Sequence, residues 1–179
     1  MPLVLLIGGA RSGKSALALR LANQQEAPVV FIATAQAGDG EMAERIGTHA
    51  SERPACWQTV EEPLRLREAI AGIDGDACVV VDCLTLWVAN ALDALGAADS
   101  EAQAGAAAAA AAARAGLTIV VTNEVGLGIV PDNALARGYR DLLGRVNAIW
   151  AEAADHVYLL VAGRALALEK TDPLSRLSP

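Results

Sequence analysis

The residues best suited to do chemistry stand close to the amino terminus. Gly8-Gly9-Ala10-Arg11-Ser12-Gly13-Lys14-Ser15 satisfies the phosphate-binding-loop pattern G-x-x-x-x-G-K-[ST] in full. Such a turn lets backbone N–H groups and the positive end of the following helix surround phosphate oxygens. Lys14 would reach the β- and γ-phosphates, and the Ser15 hydroxyl would help hold Mg2+. Lysine occurs only at Lys14 and Lys170, which makes a chance Gly-Lys-Ser a poor explanation. Asp82 ends the run ACVVVD, where a strand would deliver its carboxylate beside the phosphates to ligate Mg2+ directly or through water. Capping a helix that begins at Leu84 is the other use open to it.

Arg45, His49 and Arg53 recur every four residues, so on a helix they share one face, with Met42 and Ile46 on the buried side. Two guanidiniums beside an imidazole would attract a polyphosphate and keep the ring neutral. A neutral histidine is a competent nucleophile toward phosphorus, although a solvated histidine on a polar face has the same spacing. The stretch NEVGLGIVP at 123–131 is a glycine-bearing loop where an α/β fold places substrate contacts. Its Glu124 reads equally as a base or metal-shell group and as a capping or salt-bridged carboxylate. Arg137 and Asp141, with Arg140 and Arg145 nearby, fit a surface ion-pair ladder of small worth. His156, which opens an apolar run, reads as structural.

The elements that must position these groups alternate. Leu3 to Gly8 is an apolar run suited to a strand buried on both faces of a parallel sheet, and the residues after Ser15 favour helix. Further strands are expected at 28–34, 57–60, 77–82, 117–122 and 156–162, the last closing the sheet. Helices are expected at 40–52, from Pro63 to Ala71, and at 84–96, 101–115 and 134–153. The alternation calls for an α/β fold: a mostly parallel sheet of the phosphate-loop NTPase type, covered by helices on both faces, with ligands at the strand carboxyl ends. The alanine-rich 101–115, ended by Gly116, reads as a spacer helix on the outside.

Composition narrows the class. The 179 residues suit one domain spanning 1–179. Hydrophobic residues reach 54 %, but alanine supplies much of this, and the tract near 102–113 is too weakly apolar to span a membrane. A net charge of −7 argues against nucleic acid as a partner. Met1 leads into the first strand without a charged leader, and Cys56, Cys78 and Cys83 lack metal-ligand spacing, so a cytoplasmic protein with reduced thiols is expected. A GTP-dependent switch would carry N-K-x-D. The nearest fragment, TNEV, has Glu124 where the lysine would be.

Together these stretches resemble the bifunctional adenosylcobinamide kinase and adenosylcobinamide-phosphate guanylyltransferase family of cobalamin biosynthesis. The matching segments are GGARSGKS at 8–15, FIATAQ at 31–36, EMAERIGTHASERPACWQTVEEP at 41–63, VVVDCLTLWVANAL at 79–92, TNEVGLGIVP at 122–131 and 135–163. The phosphate loop is common to many NTPases, whereas R-I-x-x-H-x-x-x-R-P-x-x-W and N-E-V-G-x-G-I-V-P are far more specific. Thr48 and the last fifteen residues depart from the family pattern.

The resemblance implies that ATP or GTP phosphorylates the aminopropanol hydroxyl of adenosylcobinamide. GTP then guanylylates a histidine, and the GMP passes to adenosylcobinamide phosphate. It maps the modified histidine to His49 and the phosphate cradle to Gly8 to Ser15. Further nucleotide contacts map to Ala33, Thr34 and Ala35, to Ala50, Ser51, Glu52 and Arg53, and to Glu61. Ser15 and Asp82 take the Mg2+, and no tightly bound organic cofactor is implied. A homotrimer is expected, with the active site near a subunit interface. Trp57, Trp87, Trp150 and the 123–131 loop are candidates to grip the corrin ring. A plain phosphate-loop kinase, which needs no histidine nucleophile, is the alternative.

Overall fold

In the computed structural model, which describes residues 3–36, 38, 40, 44, 47, 51 and 53–170, the apolar runs become strands of one sheet. They are β1 (Leu3–Gly8), β2 (Val29–Ala33), β3 (Gln58–Glu61), β4 (Cys78–Asp82), β5 (Thr118–Asn123), β6 (His156–Val161) and β7 (Arg164–Leu168). Among the described residues the helices are α1 (Lys14–Asn23), α2 (Leu66–Ala71), α3 (Leu84–Leu95), α4 (Ala97–Ala112) and α5 (Ala134–Ala153). The helix expected over 40–52 falls largely outside the described residues.

The sheet order is β3-β2-β4-β5-β1-β6-β7. All neighbours are parallel except the β6–β7 hairpin. Alternation along each strand divides the core between the two faces. Leu3, Leu5, Val79, Val81 and Val120 pack beneath α2 to α5. Val4, Leu6, Val80, Ile119 and Val121 pack against α1, through Ala18 and Ala22. The helices that follow β1 and β5 therefore leave to opposite faces. That divergence opens a crevice at the carboxyl ends of these adjacent strands, where Gly8 and Asn123 lie side by side in register.

Three expectations are corrected. The alanine tract is no outer spacer: Ala104, Ala107, Ala108 and Ala111 are buried on one face of α4, between α2 and α5. The i, i+3, i+4, i+7 spacing was present in the sequence, but with alanine on every face nothing marked the inner one. The second helix begins at Leu66 rather than Pro63, because Glu62 accepts hydrogen bonds from the N–H groups of Leu64 (3.0 Å) and Arg65 (2.9 Å) and holds a turn there first. The run 156–162 does not close the sheet. Ala162 and Gly163 both adopt positive φ (51° and 75°), the requirement of a tight two-residue hairpin, and β7 adds an antiparallel edge.

Candidate nucleotide-binding active site

Gly8 ends β1 where a Cβ would come within 2.3 Å of the Leu160 carbonyl oxygen on β6, so only glycine fits. Gly13, at φ 99°, makes the left-handed turn into α1. The loop is supported from the far side of the chain: the Gly163 N–H at the β6–β7 turn donates to the Ser12 carbonyl at 2.9 Å. Gly9, Ala10 and Arg11 are exposed, while Ser12 and Lys14 are buried and Ser15 is half-buried. Lys14 Nζ lies over the loop, donating to the Gly9 carbonyl at 2.7 Å and to Ser12 Oγ at 3.3 Å. Burial pushes the Lys14 pKa down, and the nearby Asp82 carboxylate opposes that shift.

Asp82 ends β4 with β5 interposed before β1. It lies level with Ala33 on one side and Val121 on the other. Val121 is in turn level with Leu6, two residues short of the phosphate loop. The residue at the α3 N-cap is Cys83, whose own side chain makes no capping bond. Burial, reinforced by Asp82, pushes the Cys83 thiol up to about 11, so this cysteine is no thiolate nucleophile at neutral pH. Asp82 and Ser15 offer hard oxygen donors. Among the described residues no group of three or more His, Cys, Asp or Glu could hold a metal. That donor set fits Mg2+, which in nucleotide sites takes one or two carboxylates and completes its shell with phosphate and water.

The remaining expected contacts lie around the end of β2. Ala33 and Ala35 are half-buried and Thr34 is fully buried. Glu61 is exposed and level with Ala33. Arg53 stacks its guanidinium over Phe31, 4.3 Å from the ring centre, and donates to Thr59 Oγ1 at 2.9 Å. Ser51 is exposed. His49, Ala50 and Glu52, with Arg45, lie outside the described residues.

Across the crevice, the Glu124 N–H donates to the Gly8 carbonyl at 3.1 Å, which ties the 123–131 loop to the phosphate loop. The Glu124 carboxylate accepts from the Gly126 N–H. Arg137 donates to the carbonyls of Pro131 (3.0 Å) and Asp132 (2.7 Å), while Asp141 pairs with Arg140 and Arg145 with Glu101. The expected Arg137–Asp141 rung is thus replaced by a brace on the loop. Trp87 and Trp150 are fully buried, and Trp87 Nε1 donates to the Leu64 carbonyl at 2.9 Å. Both belong to the core and are not surfaces for a corrin ring. Trp57 is half-buried and packs on the sheet face that α1 covers.

Sequence reasoning missed a set of polar side chains that lock these strand ends. Asn147 on α5 accepts from Thr122 Oγ1 (2.7 Å) and donates to the Asn123 carbonyl (3.0 Å). Thr85 Oγ1 accepts from the Asn123 N–H (2.9 Å), and Tyr139 donates to the Thr85 carbonyl (3.0 Å). The available signal was Asn147 itself, an amide between Leu143, Val146 and Trp150 on an otherwise apolar stripe. A buried polar group in such a place implies a partner.

A glycine-rich strand–turn–helix and a strand-end carboxylate, set at the crevice of a parallel sheet, define a phosphate-loop nucleotide-binding α/β protein. Solved structures share this fold. An ATPase of a bacterial type III secretion system matches with a TM-score of 0.58 at 14 % identity, over 98 % of this chain and 53 % of that one. A protein of Pyrococcus horikoshii matches with a TM-score of 0.57 at 9 % identity, over 96 % and 88 %. More specifically, the chain belongs to the cobinamide kinase / cobinamide phosphate guanyltransferase family, whose sequence model matches residues 4–168. It is 44 % identical to the bifunctional adenosylcobalamin biosynthesis protein CobP of Pseudomonas aeruginosa over 171 residues, covering 95 % of this chain and 98 % of the relative. It is 43 % identical over 178 residues to the protein CobU of Salmonella typhimurium, covering 90 % and 96 %.

Proposed function

We propose that this chain phosphorylates the aminopropanol hydroxyl of adenosylcobinamide, with ATP or GTP as donor. It then transfers GMP from GTP to adenosylcobinamide phosphate, giving adenosylcobinamide-GDP. The observation that carries the reading is a complete phosphate loop with Lys14 folded onto it, in a chain matched by this family over residues 4–168. Residues 1–179 act as one domain for both reactions.

In both steps the loop N–H groups from Gly8 to Ser15 hold the polyphosphate, and Lys14 meets the charge that develops on it. Ser15 and Asp82 would hold Mg2+, which supplies charge neutralisation at the phosphates. The contacts assigned to Ala33 and Ala35, to Ala50, Ser51, Glu52 and Arg53, and to Glu61 orient the nucleotide. For guanylyl transfer His49 is the nucleophile. A ring nitrogen bonds to the α-phosphorus as the bond to pyrophosphate breaks. A phosphate oxygen of adenosylcobinamide phosphate then displaces the histidine, so one difficult transfer becomes two in-line displacements. Arg45 and Arg53 keep the imidazole neutral and nucleophilic. We assign the enzyme to the cytoplasm, in keeping with the absence, among the described residues, of any helix long and apolar enough to cross a membrane.

Labelling with GTP radioactive at the α-phosphate tests this reading. Wild type should acquire an acid-labile, base-stable label that a serine ester would not mimic, and His49→Ala should acquire none, which excludes a lysine adduct. An unlabelled wild type that still phosphorylates adenosylcobinamide would leave a kinase alone.

A further inference from the structure

Asp82 is the last residue of its strand. The junction is held from β2. Thr34 is fully buried, and its Oγ1 donates to the Cys83 carbonyl at 2.7 Å while accepting from the Cys83 N–H at 2.9 Å. Its own N–H donates to the Asp82 carbonyl at 3.3 Å. One residue thus engages both backbone polar groups of Cys83 and the carbonyl of Asp82. Thr34 is in turn anchored by Asn90, two turns into α3, whose Nδ2 donates to the Thr34 carbonyl at 2.9 Å and to the Pro63 carbonyl at 3.2 Å. The loop is closed: α3 begins at the junction that Thr34 holds, and α3 carries the amide that holds Thr34.

Valine would fill the space of a threonine whose only task was packing. Here the hydroxyl serves as donor and acceptor at once, and with its side chain fully buried it has no surface to offer a nucleotide. Its chemistry is spent on the peptide that carries the carboxylate. We propose that Thr34 and Asn90 are positioning residues that orient the Asp82 carboxylate toward Ser15 and the phosphate loop, and so set the affinity of the nucleotide site for a divalent cation. This rests on the metal-facing reading of Asp82. It differs from the family-based expectation for Thr34, because the threonine side chain acts through Asp82 and not on the nucleotide.

The test is the Mg2+ concentration that half-saturates tightening of a fluorescent GTP analogue, compared with the affinity of the same analogue in EDTA. Thr34→Val should raise the Mg2+ requirement by about tenfold or more, the usual effect of removing a partner that orients a metal ligand. Its affinity in EDTA should be unchanged, and Thr34→Ser, which keeps the hydroxyl, should behave as wild type. Asn90→Ala should shift the requirement in the same direction and serves if Thr34→Val folds poorly. Asp82→Asn should shift it at least as far, and Thr34→Val combined with Asp82→Asn should be no worse than Asp82→Asn alone. A wild-type Mg2+ requirement in both Thr34→Val and Asn90→Ala, beside a shifted Asp82→Asn, overturns the positioning role and leaves the metal reading standing. Additive losses in the double variant overturn it as well. A wild-type requirement in Asp82→Asn removes the metal reading, and the positioning role falls with it.

Discussion

Lys14 is pulled two ways. Its ammonium must be charged to meet phosphate, yet burial against the loop disfavours that charge, and the nearby Asp82 carboxylate restores only part of it. Raising the pH should therefore discharge Lys14 in the free enzyme below the ordinary lysine range. Bound polyphosphate favours the protonated form, so affinity for GTP should fall with rising pH between the pKa of the free enzyme and that of the complex. A binding profile of wild type minus that of Lys14→Ala isolates this limb from the ionisation of guanine itself. An onset at the ordinary lysine value would show that burial does not act as described. Chemistry at this scale was readable wherever a motif fixed both residue type and spacing, as in Gly8 to Ser15. Roles that depend on a distant partner were not readable. Trp87 was a candidate surface for a ring until its burial and its hydrogen bond to the Leu64 carbonyl placed it in the core.

Helix α4 shows how far an element can be read without its neighbours. Alanine has the highest helix propensity, which made the element itself legible. It also makes every face alike, so the packing direction had no signature. In the fold the tract lies between α2 and α5, where small side chains allow close approach. Ala107→Leu should force extra methylenes into a filled space and cost about 1–3 kcal/mol in chemical denaturation. Ala109→Leu, on the exposed face of the same helix, should change stability by less than about 0.5 kcal/mol. Equal effects at the two positions would return the helix to the outside. The β7 strand was missed for a related reason. RALAL is short and exposed throughout, and its pairing depends on a two-residue turn whose only mark in the sequence is Gly163.

For the whole molecule, the exposed apolar surface is uneven. Leu127 and Ile129 on the loop beside the phosphate site are 87 % and 98 % exposed, and Leu135 at the start of α5 is 76 % exposed. A cluster of large aliphatic side chains this open is the mark of a surface that another molecule covers. It suits the homotrimer that the family resemblance leads one to expect, with active sites near the subunit contacts. Light scattering should give three times the chain mass for wild type. Leu127→Ser combined with Ile129→Ser should lower it to one chain while Lys14 and the phosphate loop stay folded. A wild-type monomer, or a double variant that remains trimeric, would assign these side chains to something other than the interface.

The sequence by itself determined the alternating α/β order, the phosphate loop and the carboxylate at the end of β4, because each is a local pattern: apolar runs of strand length, or a fixed spacing of glycine, lysine and hydroxyl. It also carried the family, through segments long enough to be specific. Only the tertiary structure decided which strand lies beside which, which face of the alanine helix is buried, and that Thr34, Asn90, Asn147 and Tyr139 knit the strand ends together. Those contacts join residues 24 to 56 positions apart. Their energetics depend on burial and on a partner's geometry, and neither quantity exists until the chain has folded.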